Sequence, residues 1–152
     1  MRYHGINFKH VMGIKYLTDG PVSKKIIGHL IDKMGQLTDS GGHMIFLGQV
    51  RADEIDGKKV KAIEYSAYEG MVNVEAGNIK KQVLAEFSDV KSIDLIHSTG
   101  VVNVGQLSLV VFVSAGHRRQ AIQACCKTVE LIKERLPVWK KEIFDDDTHL
   151  WK

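Results

Sequence analysis

The chain has 152 residues, 44% of them hydrophobic, which suits one domain, residues 1–152, that buries about two-thirds of its unfolded surface. A formal charge of +3 could assist an anionic ligand, but the lysine pairs are scattered, so a nucleic-acid partner is not expected. The two cysteines, Cys125 and Cys126, are adjacent and give no disulfide framework, and no apolar run reaches signal-peptide or membrane-span length. The expectation is a cytoplasmic protein that neither crosses nor enters a membrane.

In chain order, a strand is predicted around Ile14 to Thr18, and Pro21 is placed to start a helix running from about Val22 to Met34. The loop Thr38-Asp39-Ser40-Gly41-Gly42 leads into His43 to Val50, which reads as a buried strand. Asp56-Gly57 is a hairpin turn before an alternating strand at 60–67. A second helix follows from Gly70 to Phe87, with Val72, Ala76, Ile79, Val83 and Phe87 at helical steps despite the cost of Gly77. Strands at Val90 to His97 and Gln106 to Ser114 flank a Gly100 to Gly105 turn region, and the second, rich in valine and leucine, is predicted to be central. A third helix, His117 to Leu136, stops at Pro137, and short strands or loops at Val138 to Phe144 and His149 to Trp151 complete the chain.

The third helix carries the chemistry. Its first turn, Gly116-His117-Arg118-Arg119, sets positive side chains where the helix dipole is already positive. A bound anion such as a phosphate would resolve that conflict; alternatively the arginines reach back to surface carboxylates. Lys133 lies on the border of the stripe Ile122, Cys125, Val129, Ile132 and Leu136, where it either snorkels or is partly desolvated and useful in catalysis. Lys140, beyond the proline, can return toward the same pocket. Cys125 is expected to be buried and Cys126 half-buried, as packing residues rather than nucleophiles. The histidines lack metal-ligand spacing, so no metal is expected, and there is no Gly-rich phosphate loop.

Four ordered blocks, Phe46-Leu47-Gly48-Gln49-Val50-Arg51, Glu64 to Met71, Ser114-Ala115-Gly116-His117-Arg118 and Leu131-Ile132-Lys133 to Trp139-Lys140-Lys141-Glu142, resemble the large, catalytic subunit of molybdopterin synthase over roughly residues 14 to 152. The resemblance implies an α+β fold of the α/β-hammerhead type, with a mixed or antiparallel sheet and about three helices. It also implies a homodimer that binds a small ubiquitin-like sulfur-carrier subunit to each copy as a heterotetramer. The implied activity is that of a sulfurtransferase: sulfur passes from the partner's C-terminal thiocarboxylate to cyclic pyranopterin monophosphate, forming the dithiolene of molybdopterin. No cofactor of its own is implied. By the same resemblance Arg51, His117 and Arg118 hold the substrate, and Lys133 and Lys140 are catalytic. The alternative is a non-catalytic dimeric scaffold that binds the tail of the ubiquitin-like partner. The chain departs from the family pattern at Ser98, where arginine is frequent, and at Gln106, where an acidic residue is frequent. It also lacks the asparagine often found after the Arg51 position, and it ends at Trp151-Lys152, earlier than many relatives.

Overall fold

The computed structural model describes residues 16–152. In chain order the elements are β1 (Leu17–Asp19), α1 (Lys24–Met34), β2 (Gly42–Gln49), β3 (Glu54–Ile55), β4 (Lys58–Ala67), α2 (Glu69–Glu86), β5 (Val90–Asn103), β6 (Leu107–Ala115), α3 (Arg118–Arg135), β7 (Val138–Phe144) and β8 (His149–Trp151). The sheet runs β2-β6-β5-β4-β7-β8; β1 joins β5 in the one parallel pairing among the described residues, and β3 joins β4. With three helices on this sheet the architecture is α+β, as expected. Ile14, where the first predicted strand begins, lies outside the described residues.

β6 is the spine of the molecule. Its valines and leucines alternate faces, as strand geometry requires. Leu109, Val111, Val113 and Ala115 enter a core under α2 and α3, while Val110 and Phe112 meet Val22, Leu30 and Met34 beneath α1. Burial on both faces explains its unbroken apolar run. β2, expected to be buried, is instead an edge strand whose Met44 and Leu47 are 37% and 43% exposed. Its apolar composition resembles that of a central strand, and edge position is a property of the whole sheet that no local pattern encodes.

Two boundaries and one helix face also differ from the sequence reading. The first helix is capped by Ser23, whose hydroxyl accepts the Ile26 N–H at 3.3 Å, two residues after Pro21. β5 does not stop before Gly100 but continues through it to Asn103, because the positive φ of Gly100 (77°) bends the strand without ending it. On α3 the buried face comprises Ala121, Ala124, Cys125, Thr128, Val129, Leu131 and Ile132, so the stripe is rotated and Ile122 is exposed. The Asp56-Gly57 turn behaves as expected, with both residues at positive φ (51° and 76°), the geometry of a type I′ hairpin.

A glycine junction locks α3 to the sheet. A Cβ on Gly41 would lie 2.3 Å from the Gly116 carbonyl oxygen, and one on Gly116 would lie 2.4 Å from an Asp89 carboxylate oxygen. At the other end Arg135 donates from Nε to Glu75 at 2.8 Å and from Nη1 to Gln82 at 2.6 Å, tying α3 to α2.

Gly77, mid-way along α2, has open space where a Cβ would stand. Gly77→Ala is expected to stabilise the chain by about 0.5–1 kcal/mol, since alanine removes the backbone entropy that glycine loses in a helix. Gly116→Ala is expected to cost about 1–3 kcal/mol, because the clash is with a fixed carboxylate. Urea unfolding of the two variants beside the parent checks both signs; a stabilised Gly116→Ala would refute the junction.

Candidate active site

A cavity of about 600 Å³ opens between the end of β2, the last turn of α3 and the pocket-facing side of β7. Its side chains arrive there for local reasons. The register between β2 and β6 slips after Gly48, leaving Ser108 as an extra residue opposite no partner; such a bulge re-aims a side chain, and Ser108 hydrogen-bonds Tyr65. Along β4 and β7 the pairs Ile63↔Glu142 and Tyr65↔Lys140 share one face, and all four line the cavity. His97 comes from β5, three residues before the bend at Gly100. Lys133 comes from the last turn of α3, and Arg51 from the segment after β2.

Of the residues singled out in the sequence, Arg51, Lys133 and Lys140 are brought together, whereas His117 and Arg118 are not. Sixteen residues of helix separate His117 from Lys133, about 24 Å at 1.5 Å per residue. A pocket built by His117, Arg118, Lys133 and Lys140 of one chain is therefore excluded by the length of α3.

The N-terminus of α3 holds an internal anion. Asp89 accepts the His117 backbone N–H at 2.7 Å, and its Oδ2 lies 3.1 Å from His117 Nδ1. Gln120 returns the favour by accepting the Asp89 N–H at 2.9 Å. Desolvation alone would raise the Asp89 pKa, but the hydrogen bonds from His117, with the charges of His117 and Lys91, hold it below the usual carboxylate value. Part of the sign conflict at this helix start is thus met by a carboxylate of the chain itself. Arg118 and Arg119 remain exposed beside it.

The polar floor of the cavity was not singled out in the sequence, since Tyr65, His97, Ser108 and Glu142 sit in four separate strands with no shared motif. Glu142 is 3% exposed; Lys152 Nζ lies 2.9 Å from its Oε1, while its Oε2 has no hydrogen-bond partner. Burial raises the Tyr65 phenol above its ordinary pKa, aided by the Glu142 charge and only partly offset by the bond to Ser108. Burial likewise lowers the His97 imidazole, and the Lys133 charge adds to this, against the opposing hydrogen bond to the Ser98 carbonyl. The Tyr65 and His97 rings meet edge to face at 5.0 Å.

The charges at the rim divide unevenly. Arg51 pairs with Asp53 at 3.2 Å, and Lys152 with Glu142. Among the described residues Lys133 and Lys140 form no salt bridge, so the cavity presents two uncompensated ammonium groups. No group of three His, Cys, Asp or Glu side chains able to hold a metal occurs among the described residues.

The family model of the MoaE protein matches residues 20–135. The chain belongs to the MoaE family. A molybdopterin synthase catalytic subunit from Pyrococcus abyssi is 41% identical over 109 residues, covering 72% of each chain. One from Drosophila grimshawi is 42% identical over 108 residues, which are 71% of this chain but 30% of that protein. The chain thus spans about a third of the length of its Drosophila relatives. Among solved structures, molybdopterin synthase from Staphylococcus aureus superimposes with a TM-score of 0.77 at 24% identity, over 90% of this chain and 95% of that one. A complex of subunits 1 and 2 of molybdopterin-converting factor from Helicobacter pylori gives 0.73 at 18%, over 90% and 88%. At these identities the structures show that the MoaE fold is shared.

Cys125 is buried and its thiol is pushed up to about 11, by burial first and the neighbouring Cys126 second, against a backbone hydrogen bond from Phe46. Cys126, expected to be half-buried, is exposed. At pH 8 iodoacetamide is expected to label Cys126 and spare Cys125 in the folded chain, read by peptide mass spectrometry; rapid labelling of Cys125 would refute the packing of α3. Because the Asp89 pKa is depressed in the folded chain, its contribution is present above the unfolded carboxylate value and is lost as pH falls through the folded one. Asp89→Asn is therefore expected to lower the melting temperature at pH 7 and to flatten its decline below about pH 4; an unchanged acid limb would show that Asp89 does not anchor α3.

Proposed function

We propose that this chain, acting as one domain, is the catalytic subunit of a molybdopterin synthase, a sulfurtransferase working in the cytoplasm. It takes sulfur from the C-terminal thiocarboxylate of a small ubiquitin-like subunit and adds it to cyclic pyranopterin monophosphate, building the dithiolene of molybdopterin. The observation that carries the proposal is the pair of unbridged cations, Lys133 and Lys140, facing one cavity in a MoaE-family fold. A thiocarboxylate tail and a cyclic phosphate are both anions, and bringing them together requires positive charge that is not already neutralised. Lys133 and Lys140 stabilise the charge that develops on oxygen as sulfur adds, and Arg51, at the rim, holds the substrate phosphate or pterin.

The reading includes a homodimer. His117 and Arg118 are about 24 Å from Lys133 in one chain, so for all five residues to act on one substrate a second copy must supply His117 and Arg118. Support comes from β2, an apolar edge strand on which α3 packs, with Met44 and Leu47 turned outward. The small subunit then completes a heterotetramer.

Purified chain, thiocarboxylated small subunit and cyclic pyranopterin monophosphate are expected to give dithiolene product that mass spectrometry does not find when the chain is omitted. Lys133→Ala and Lys140→Ala should each reduce turnover by about 100-fold or more, within the range set by removing a group that stabilises transition-state charge. Arg51→Ala should chiefly raise the substrate KM. Wild-type turnover in Lys133→Ala would end its catalytic assignment. Light scattering should give twice the chain mass, and a monomer that is fully active would overturn the shared site.

A further inference from the structure

His97 belongs to the cavity and has no part in the mechanism as described so far. Its Nδ1 lies 2.8 Å from the Ser98 carbonyl oxygen. A carbonyl oxygen only accepts, so Nδ1 carries the hydrogen and Nε2 carries the lone pair. The ring is held edge to face against Tyr65 at 5.0 Å, and its backbone is fixed by the hydrogen bond from His97 N–H to the Tyr16 carbonyl at 2.8 Å and by pairing with both Leu17 and Leu109. The ring that lines the cavity is therefore held in one orientation, with its lone pair on Nε2. Resting on the sulfurtransferase reading, a chemical demand exists for such a nitrogen. When the sulfur of a thiocarboxylate bonds to a substrate carbon, it remains acylated by the partner's terminal carbonyl. Product is freed only when water cleaves that acyl–sulfur bond.

We infer that His97 is the general base of this hydrolytic step, a catalytic residue that accepts a proton from the attacking water through Nε2. As the O–H bond breaks, the water oxygen bonds to the acyl carbon. The carbon–sulfur bond then breaks and its electron pair leaves on sulfur as a thiolate. The imidazolium returns its proton to that thiolate, and the partner's terminus departs as a carboxylic acid that ionises to solvent. No oxidant, reductant or metal enters the balance.

The charges around the ring fit that role. Lys133 from α3 and Lys140 from β7 face the same cavity, as do Arg51 and Lys152. Together these disfavour a further positive charge on the imidazole at rest. Glu142 and Asp53 are the acidic groups lining the same space, and Tyr65 is the neighbouring phenol. Burial and the Lys133 charge keep the imidazole neutral at pH 7, so the hydrolytic rate should fall only as pH drops through a value below 6.5, where Nε2 becomes protonated.

The test follows the covalent partner–substrate adduct by intact-mass spectrometry in the reconstituted system, with excess thiocarboxylated small subunit. His97→Asn keeps a short donor for the Ser98 carbonyl and lacks the basic nitrogen; His97→Gly opens space for added imidazole. With His97→Asn the adduct should form at the wild-type rate, accumulate, and be hydrolysed about 100-fold more slowly, without the acid limb of the pH profile. Imidazole should restore hydrolysis in His97→Gly. Hydrolysis at the wild-type rate and pH profile in a folded His97→Asn chain would overturn the assignment, as would failure of that variant to form adduct under conditions where the wild-type chain does. If the wild-type chain forms neither adduct nor product, the sulfurtransferase reading itself fails and this inference with it.

Discussion

β5 changes partners along its length, and the cavity exists because it does. Its first half, Val90 to His97, pairs with β6, while Gly100 to Asn103 pairs with β4, and β1 fills the gap by pairing with residues 97 to 99. The change of direction falls at Gly100, at φ 77°, where a Cβ would come within 2.9 Å of an Asp19 carboxylate oxygen. Only glycine meets both demands at low cost. On one side of the bend the sheet carries α2 and α3; on the other, β4, β7 and β8 continue it. His97 sits just before the bend, Tyr65 and Lys140 just across it, and the concavity between them is the cavity.

α3 acts as a rigid spacer between two differently charged ends. Its start is fixed by Asp89 and the Gly41–Gly116 contact, and its end by Arg135 on Glu75. A helix held at both ends cannot bring its first and last turns to one ligand. Within one chain His117 and Arg118 therefore stand about 24 Å from Lys133, and His117 is engaged by Asp89 at the start of the helix. The same rigidity fixes Lys133 over the cavity, where it keeps its charge near His97.

Much of this was legible in the sequence because the signals are local. Apolar residues at three- and four-residue steps located α2 and α3, Pro137 located the end of α3, and Asp56-Gly57 located the hairpin. Arg51, Lys133 and Lys140 were found through ordered motifs. What escaped depends on pairing between distant segments. The edge position of β2 is decided by which strands flank β6, and the path of β5 through Gly100 is decided by β1 and β4. The floor residues Tyr65, His97, Ser108 and Glu142 converge only once four strands are in register, one of them bulged. Asp89 was missed for the same reason: it precedes β5 and meets α3 28 residues later. One departure from the family pattern has a local explanation, since the Gln106 side chain accepts the Asn103 N–H at 2.9 Å and closes the turn before β6, a task an acidic side chain would also perform.

The balance of charge in the cavity follows from which pairs the fold permits. Asp53 lies two residues from Arg51 and neutralises it locally, and Lys152, placed by a backbone bond from its N–H to the Lys140 carbonyl, reaches Glu142. Glu142 is on the same face of β7 as Lys140, but the extended strand holds the two side chains parallel, and the carboxylate turns to Lys152 instead. Lys141, on the opposite face, is taken by Glu64. The two acids that line the cavity, Asp53 and Glu142, are therefore each paired with another cation, and the charges of Lys133 and Lys140 stay available to an incoming anion. A buried carboxylate with one open oxygen, Glu142 Oε2, remains beneath them. Leaving such an oxygen unpaired costs about 1–3 kcal/mol, a cost that a ligand donating an N–H to it would relieve, so the cavity suits a ligand that is anionic at one end and a hydrogen-bond donor at the other.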